Sequence, residues 1–386
     1  MKLHYHTSYP AIDDLREGAR RRIPRFAFEY LDGGCNEDVN LRKNTDDLRQ
    51  VELKPLYLTH YQPSSLKTEL FGHEYDAPFG VAPIGLQGLI WPGAPEILAA
   101  AAAEHNVPYI LSTVSTASIE RIGEITGGRF WFQLYHPADN AIRDDLFDRL
   151  DAAGCKTLVL LCDVPTFGFR PRDIRNGLAM PPRMTVRNIL QIFGRPTWAA
   201  RTLLHGAPQF ATMTKYMPKG LNMKQLGAYM NATFSGRLSE EKIAPIRDRW
   251  KGNLVLKGVA TEEDTETAVR LGLDGVIVSN HGGRQVDAGE SAVRSLLPIA
   301  EKFKGKLRVM LDSGVRSGPD VARAIACGAE FAFLGRTFMY SVAALGREGG
   351  QHAMAMLKLQ LTQVLEQLCC HRVADLPKHL LRKPAG

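Results

Sequence analysis

The chain has 386 residues, 45% of them hydrophobic and 23% charged, which excludes a disordered polymer or a fibrous repeat and leaves room for one large domain or two ordinary ones. Six cysteines, Cys35, Cys155, Cys162, Cys327, Cys369 and Cys370, form no CxxC pairs and mostly fall in apolar runs, so a reduced, cytosolic compartment and no metal site are expected. The net charge of +7 is carried by one stretch: from Asp173 to Glu240 no acidic residue intervenes, while Arg175, Arg183, Arg187, Arg195, Arg201, Lys215, Lys219, Lys224 and Arg237 leave the rest slightly acidic.

In chain order, Met1 to Leu15 lacks the apolar core of a signal peptide, and no run approaches the ~18 apolar residues that span a bilayer. Residues 1–75 read as a helical and irregular preface, in which Pro24 opens a helix holding Phe26, Phe28, Tyr30 and Leu31 and Gly33-Gly34 stops it. From Phe79 onward, strand and helix patterns alternate. Strands are expected at Phe79-Ala82, Tyr109-Ser112, Phe130-Leu134, Thr157-Cys162, Leu254-Lys257, Gly275-Ser279, Arg308-Leu311 and Phe331-Leu334. Helix-like stretches lie between them at Pro95-Glu104, Ala138-Ala153, Thr261-Leu271, Ser291-Phe303 and Gly318-Ala326.

Each strand run is short and continuously apolar, as a parallel strand covered on both faces requires. Eight such units imply an α/β fold, a closed (β/α)8 TIM barrel forming a single domain over 1–386. An open doubly wound sheet is the runner-up, but its GxGxxG turn is missing after the first strand, which ends Ala82-Pro83-Ile84-Gly85. The rhythm breaks after strand four, where the basic, acid-free insertion 175–239 intervenes. Val186, Ile189, Leu190 and Phe193 share one helical face, Pro196 interrupts, and Trp198, Leu203 and Leu204 follow. The segment reads either as a membrane-interface element or as a lid or oligomer contact.

In a barrel, the carboxyl ends of the strands face one pocket. They carry Pro83, Ile84 and Gly85; Ser112 and Thr113; Gln133 and Tyr135; Asp163 and Arg170; Lys257; Ser279, His281 and Arg284; Asp312, Gly314 and Arg316; Gly335 and Arg336. The last two turns, Asp312-Ser313-Gly314-Val315-Arg316 and Gly335-Arg336, suit an anion, because glycines expose backbone N–H groups and arginine supplies a fork of donors. A phosphate-bearing ligand is expected. Lys257 could form a Schiff base or hold developing negative charge, and His281 with Asp163 supplies a base and the carboxylate that orients it. Arg170 and Arg284 together suit one substrate carboxylate.

Ser279-Asn280-His281-Gly282-Gly283-Arg284-Gln285 resembles the active-site signature of the FMN-dependent L-2-hydroxy acid oxidases and dehydrogenases, and the likeness runs from Pro24 to the C-terminal helix. The resemblance implies FMN as cofactor and oxidation of a small L-2-hydroxy acid to the 2-oxo acid. His281 would take a proton from the substrate with Asp163 as its partner; Arg170, Arg284 and the Tyr30 hydroxyl would hold the carboxylate, and Tyr135 would meet the hydroxyl end. Lys257 would sit at the flavin N1/O2 locus; Ala82, Pro83, Ile84, Ser112, Gln133 and Ser279 would contact the ring and ribityl chain; Asp312, Gly314, Arg316, Gly335 and Arg336 would hold ribityl and phosphate. The basic insertion resembles the membrane-binding segment of bacterial lactate and mandelate dehydrogenases. That implies a peripheral protein on the cytoplasmic face of the inner membrane, a quinone or other electron-transfer acceptor, and a homotetramer or larger assembly.

Three positions depart from the family pattern. Val114 replaces a frequent aromatic residue and is expected to widen the side-chain space for a substrate larger than glycolate. Leu161 replaces a threonine beside the flavin, and Gly85 replaces the alanine usual in oxygen-using members, which favours a dehydrogenase. The alternatives are an oxygen-using oxidase, another FMN- or phosphate-binding barrel enzyme, and a binding protein without turnover, against which the intact polar set argues. Nucleic-acid binding is not expected, since no recognised module is present.

Overall fold

Each of the eight apolar runs forms a parallel strand. In the computed structural model, which describes residues 6–60, 62–179, 183–218, 237–384 and, between the last two, 220, 225, 229 and 232–234, the strands are β1 (Phe79–Val81), β2 (Ile110–Ser112), β3 (Trp131–Leu134), β4 (Thr157–Leu161), β5 (Asn253–Val259), β6 (Gly275–Val278), β7 (Arg308–Leu311) and β8 (Phe331–Leu334). Neighbours in sequence are neighbours in the sheet, and β8 pairs with β1. A parallel bridge between Val81 and Tyr109 joins β1 to β2 and closes the barrel. The expected helices are present as Ala94–Glu104, Asn140–Ala152, Glu262–Arg270, Ala292–Phe303 and Gly318–Ala326.

Alternate residues of each strand point inward, and the inward set changes character along the barrel axis. The lower layers are apolar, with Ile110, Trp131, Val159, Val255, Ile277, Met310, Phe331 and Phe333 in one cluster. Two residues further along their strands, or just past the ends, stand Ser112, Gln133, Lys257, Ser279 and Asp312, all buried. Polar groups are therefore confined to the mouth.

The preface, expected to be helical and irregular, also contains short strands. Helices Ile12–Arg22, Arg25–Asp32 and Val39–Arg49 are followed by a hairpin of Thr68–Leu70 and His73–Tyr75, and Glu52–Leu53 pairs with Leu380–Arg382. Leu70, Phe71 and Tyr75 pack against the apolar barrel cluster and plug its lower end. The short preface strands read Glu-Leu, Thr-Glu-Leu and His-Glu-Tyr, so unlike the barrel strands they show no continuous apolar run in the sequence.

Helix Pro171–Arg175 leads into the insertion, which holds helices Val186–Phe193 and Pro196–His205 before Glu240–Arg249 returns to the barrel. Val186, Leu190, Phe193, Leu203 and Leu204 are 66% to 85% exposed, as their spacing suggested. Trp198 is not: it is 4% exposed, donates Nε1–H to Ile90 O at 3.0 Å and meets Phe26 edge-on at 5.9 Å, so it anchors the insertion to the preface. Pro196 starts a new helix, where its missing N–H is harmless, rather than interrupting one. Lys219 and Lys224 lie outside the described residues. No helix among the described residues is long and apolar enough to cross a membrane.

Candidate active site

The turn after β6 is held in a conformation that few sequences permit. His281 has φ 57° and Gly282 and Gly283 have φ 67° and 72°, so three consecutive residues lie in the left-handed region. A Cβ on Gly283 would stand 2.5 Å from the Leu41 backbone, which is why the preface helix Val39–Arg49 can pack on the turn. Asn280 is the hub beneath: its Oδ1 accepts from Asn44 Nδ2 at 2.8 Å and Gly283 N at 3.1 Å, and its Nδ2 donates to Asn40 and Asn44, each at 2.7 Å. Ser313, from the turn after β7, accepts from Gly282 N at 2.9 Å and donates to Asp312 at 2.9 Å.

This scaffold presents His281 with Nδ1 3.1 Å from Asp163 Oδ1. An ionised carboxylate only accepts, so Nδ1 carries the hydrogen and Nε2 is the basic nitrogen. Burial pushes His281 down, outweighing the upward pull of Asp163, so the imidazole is neutral near pH 7. Burial alone would raise Asp163, but His281 and Lys257 bring it below the usual carboxylate range. The close fit of Asp163 depends on Gly258 at φ 101°, where a Cβ would meet the Asp163 side chain at 2.5 Å.

Lys257 is buried, 2.9 Å from Asp312 Oδ2 and 3.1 Å from Ser279 Oγ. Burial lowers its pKa, yet Asp312 and Asp163 outweigh that and the net shift is upward, so the ammonium stays charged. A lysine held charged between two carboxylates is a poor Schiff-base nucleophile, and the electrostatic alternative fits better.

Arg284 donates Nη1 to Tyr30 O at 2.8 Å and Gly33 O at 2.6 Å, and its guanidinium lies 5.1 Å over the Tyr30 ring. Arg336 donates to Leu31 O at 3.0 Å and Gly33 O at 2.9 Å. The two arginines thus satisfy carbonyls at the C-terminal end of helix Arg25–Asp32, the negative end of its dipole, and fix the preface over the barrel mouth. Arg170 donates Nη2 to Gln285 Oε1 at 3.1 Å, while its Nη1 and Arg284 Nη2 lie 3.9 Å and 3.8 Å from Asp173 Oδ2. Burial, then repulsion from Arg170, lowers Arg284 to about 9.

A cavity of about 800 Å³ joins these groups. Tyr30, Ala82, Pro83, Ile84, Tyr135, Arg170, Lys257, His281, Arg284, Asp312, Arg316, Gly335 and Arg336 all line it. Ser112, Gln133 and Ser279 are buried at the carboxyl ends of their strands, and Asp163 is held behind His281. Gly314 does not line the cavity; it packs against Asn44, whose carbonyl a Cβ there would meet at 2.5 Å. Sequence reasoning missed Asn280 and Ser313, which set the His281 turn, and the apolar lining from Phe167, Phe169, Phe210, Phe234 and Phe333. For Phe210 and Phe234 the available signal was the aromatic content of the insertion.

The cavity fits a phosphate-bearing flavin on its own chemistry. Arg316 and Arg336 both face it, yet among the described residues neither forms an ion pair, and their donors go to backbone carbonyls. Burial lowers both, Arg336 to about 10 with Arg316 adding to the effect. Two enclosed guanidinium groups with no carboxylate partner beside the turn of Gly335 call for an anion.

Fold and site together define a (β/α)8 barrel enzyme that binds a phosphate-bearing cofactor beside a histidine–aspartate couple and a pair of arginines. The chain belongs to the FMN-dependent dehydrogenase family, whose model matches residues 19–383, and FMN is its cofactor. It is 37% identical over 375 residues to an L-lactate dehydrogenase of Vibrio cholerae, spanning 97% of this chain and 99% of that one. An L-lactate dehydrogenase of Pectobacterium atrosepticum is 37% identical over 367 residues, 95% of each chain. The crystal structure of the monotopic membrane protein (S)-mandelate dehydrogenase matches with a TM-score of 0.91 at 32% identity, over 96% of this chain and 98% of that one. A mandelate oxidase structure matches at 0.82 and 30% identity, over 95% and 97%.

Proposed function

We propose that the protein oxidises an L-2-hydroxy acid to the 2-oxo acid with FMN and passes the electrons to a quinone or another non-oxygen acceptor at a membrane surface. One observation carries the reading: the His281–Asp163 couple, charged Lys257 and the forks of Arg170 and Arg284 line or adjoin a single cavity.

Bound FMN supplies the two-electron acceptor. Arg170 and Arg284 pin the substrate carboxylate through the donors that now point toward Asp173, and the Tyr30 hydroxyl assists. With the carboxylate fixed, C2 and its hydroxyl have little freedom, which removes much of the entropic barrier. Tyr135 meets the hydroxyl end, and Nε2 of neutral His281 takes a proton from the substrate. Asp163 stabilises the resulting imidazolium. Lys257 places a fixed positive charge at the barrel mouth where negative charge accumulates during reduction. Ala82, Pro83, Ile84, Ser112, Gln133 and Ser279 form the seat of the ring, and Asp312, Arg316, Gly335 and Arg336 that of the ribityl phosphate, with Gly314 shaping the turn from behind.

Membrane association is supported by the exposed apolar faces of helices Val186–Phe193 and Pro196–His205 in a stretch without acidic residues. The cavity rim points the same way, since Phe167, Phe169 and Ile174 both line it and are exposed, a path suited to an apolar acceptor. The test is anaerobic. The purified protein should be yellow and should bleach with L-2-hydroxy acids but not with their D enantiomers. Readmitting a short-chain quinone should restore the colour faster than readmitting air. A colourless protein that takes up no FMN, or one that no 2-hydroxy acid bleaches, removes the proposal.

A further inference from the structure

We propose that Phe210 and Phe234, from the second part of the insertion, form the wall that selects the substrate's side chain, and that this wall fits an aryl-bearing 2-hydroxy acid better than a methyl-bearing one; the inference rests on the hydroxy-acid reading above.

The insertion divides into two pieces with different surroundings. Its helices Val186–Phe193 and Pro196–His205 turn apolar residues to the outside. The piece that follows is folded onto the barrel: Phe210 is 6% exposed, Met213 is fully buried, and both cluster with Leu86, Val114 and Ile142. Several hydrogen bonds secure it there, three of them at separate points. Ala211 N donates to Ser115 O at 3.2 Å, Arg149 Nη1 to Thr212 O at 2.8 Å, and Ala138 N to Thr233 O at 2.7 Å. A wall tied at three points to the loops after β2 and β3 and to the following helix is rigid enough to discriminate shape.

Its position follows from Tyr135. The phenol lies within electrostatic reach of Asp163, Arg170 and Arg284, while its ring meets Phe234 edge-on with centroids 5.7 Å apart. Tyr135 thus links Phe234 to the carboxylate clamp within one cavity. With the carboxylate on the arginines and the hydroxyl at His281, the remaining large substituent of C2 has Leu86, Val114, Phe210 and Phe234 as neighbours in the same cavity. None of these four side chains carries a polar group. A methyl group would leave most of that surface without contact, whereas an aryl ring can meet two aromatic partners in the edge-on or offset geometries they prefer.

The experiment compares kcat/KM for L-mandelate and L-lactate, followed as anaerobic flavin reduction in the FMN-loaded full chain. The aryl-to-methyl ratio should exceed one in the unmodified protein and fall by about tenfold or more in Phe210→Ala and Phe234→Ala, the scale expected when apolar contacts in a pocket are lost. Val114→Phe fills the same space from the barrel side, so it should lower the ratio even if an insertion variant fails to fold. A ratio below one in the unmodified protein, or one that stays within about twofold in every folded variant, overturns the inference. If neither acid bleaches the unmodified protein, nor any other 2-hydroxy acid, the parent reading fails instead, and the two outcomes are separately visible.

Discussion

Replacing Asp163 by asparagine isolates the role of one charge. The carboxylate sits 3.1 Å from His281 Nδ1, is buried by its neighbours, and has its second oxygen without a hydrogen-bond partner among the described residues. An asparagine keeps the shape and can still accept from Nδ1–H through its oxygen, but its amide N–H groups then occupy the partnerless position and the negative charge is gone. A carboxylate–imidazolium pair at ~4 Å is worth about 4 kcal/mol at an effective dielectric of 20. A charge-assisted hydrogen bond contributes about 1.5–3 kcal/mol. Since the proton is only part-transferred in the transition state, flavin reduction should slow by about 2–4 kcal/mol, or roughly 30- to 1000-fold. The pH profile supplies the sign. Activity needs neutral His281 and is lost as pH falls through its pKa; Asp163 raises that pKa, so removing it moves the acidic limb to lower pH. Stopped-flow reduction across pH reads both effects. A variant within about threefold of the unmodified rate, with its acidic limb in place, would refute the assignment.

Asp173→Asn tests the arginine pair. Burial raises this carboxyl, and it lies 3.9 Å from the Arg170 guanidinium and 3.8 Å from that of Arg284, so its loss removes the carboxylate they share. The melting temperature without substrate should drop by a few degrees, and the increase produced by a saturating 2-oxo acid should grow; equal increases in both proteins would count against the clamp. The exposed face of the insertion gives another test. Serine at Leu190, Phe193 and Leu203, which are 66%, 78% and 85% exposed, should leave folding and soluble flavin reduction intact. If each side chain contributes on the order of 1 kcal/mol of insertion, partition onto anionic vesicles should weaken roughly 100-fold, and unchanged partition would exclude that face from membrane contact.

The barrel was legible because each strand is covered on both sides and so reads as an unbroken apolar run. The site followed from it, since only strand ends can converge. His281, Lys257, Asp163 and the arginines could be placed together on that ground alone, before any distance was known. What supports them was not legible. Asn280 meets Asn40 and Asn44 across more than 230 residues of sequence, and no local pattern marks such a pair. Gly258 reads as an ordinary strand glycine until Asp163 is seen to occupy the space a Cβ would take. Trp198 has the spacing of an amphipathic helix but faces Phe26 and Ile90, because periodicity shows that a face is apolar and not what covers it.

Gly85 and Val114 look like two independent departures in the sequence, one bearing on the acceptor and one on the substrate's size. In the fold they are one contact. A Cβ at position 85 would stand 2.8 Å from Val114 Cγ2, closer than real side chains approach, and Leu86 N donates to Val114 O at 3.0 Å, so the loop cannot readily draw back. Val114 Cγ2 therefore occupies space that only glycine leaves free, while the same residue packs in the cluster of Phe210 and Met213. An alanine at 85 would force the valine to shift and so change the shape of the space for the substrate's side chain. Width at 114 and glycine at 85 are thus a single packing solution, and a change at either position alters the shape of both surfaces.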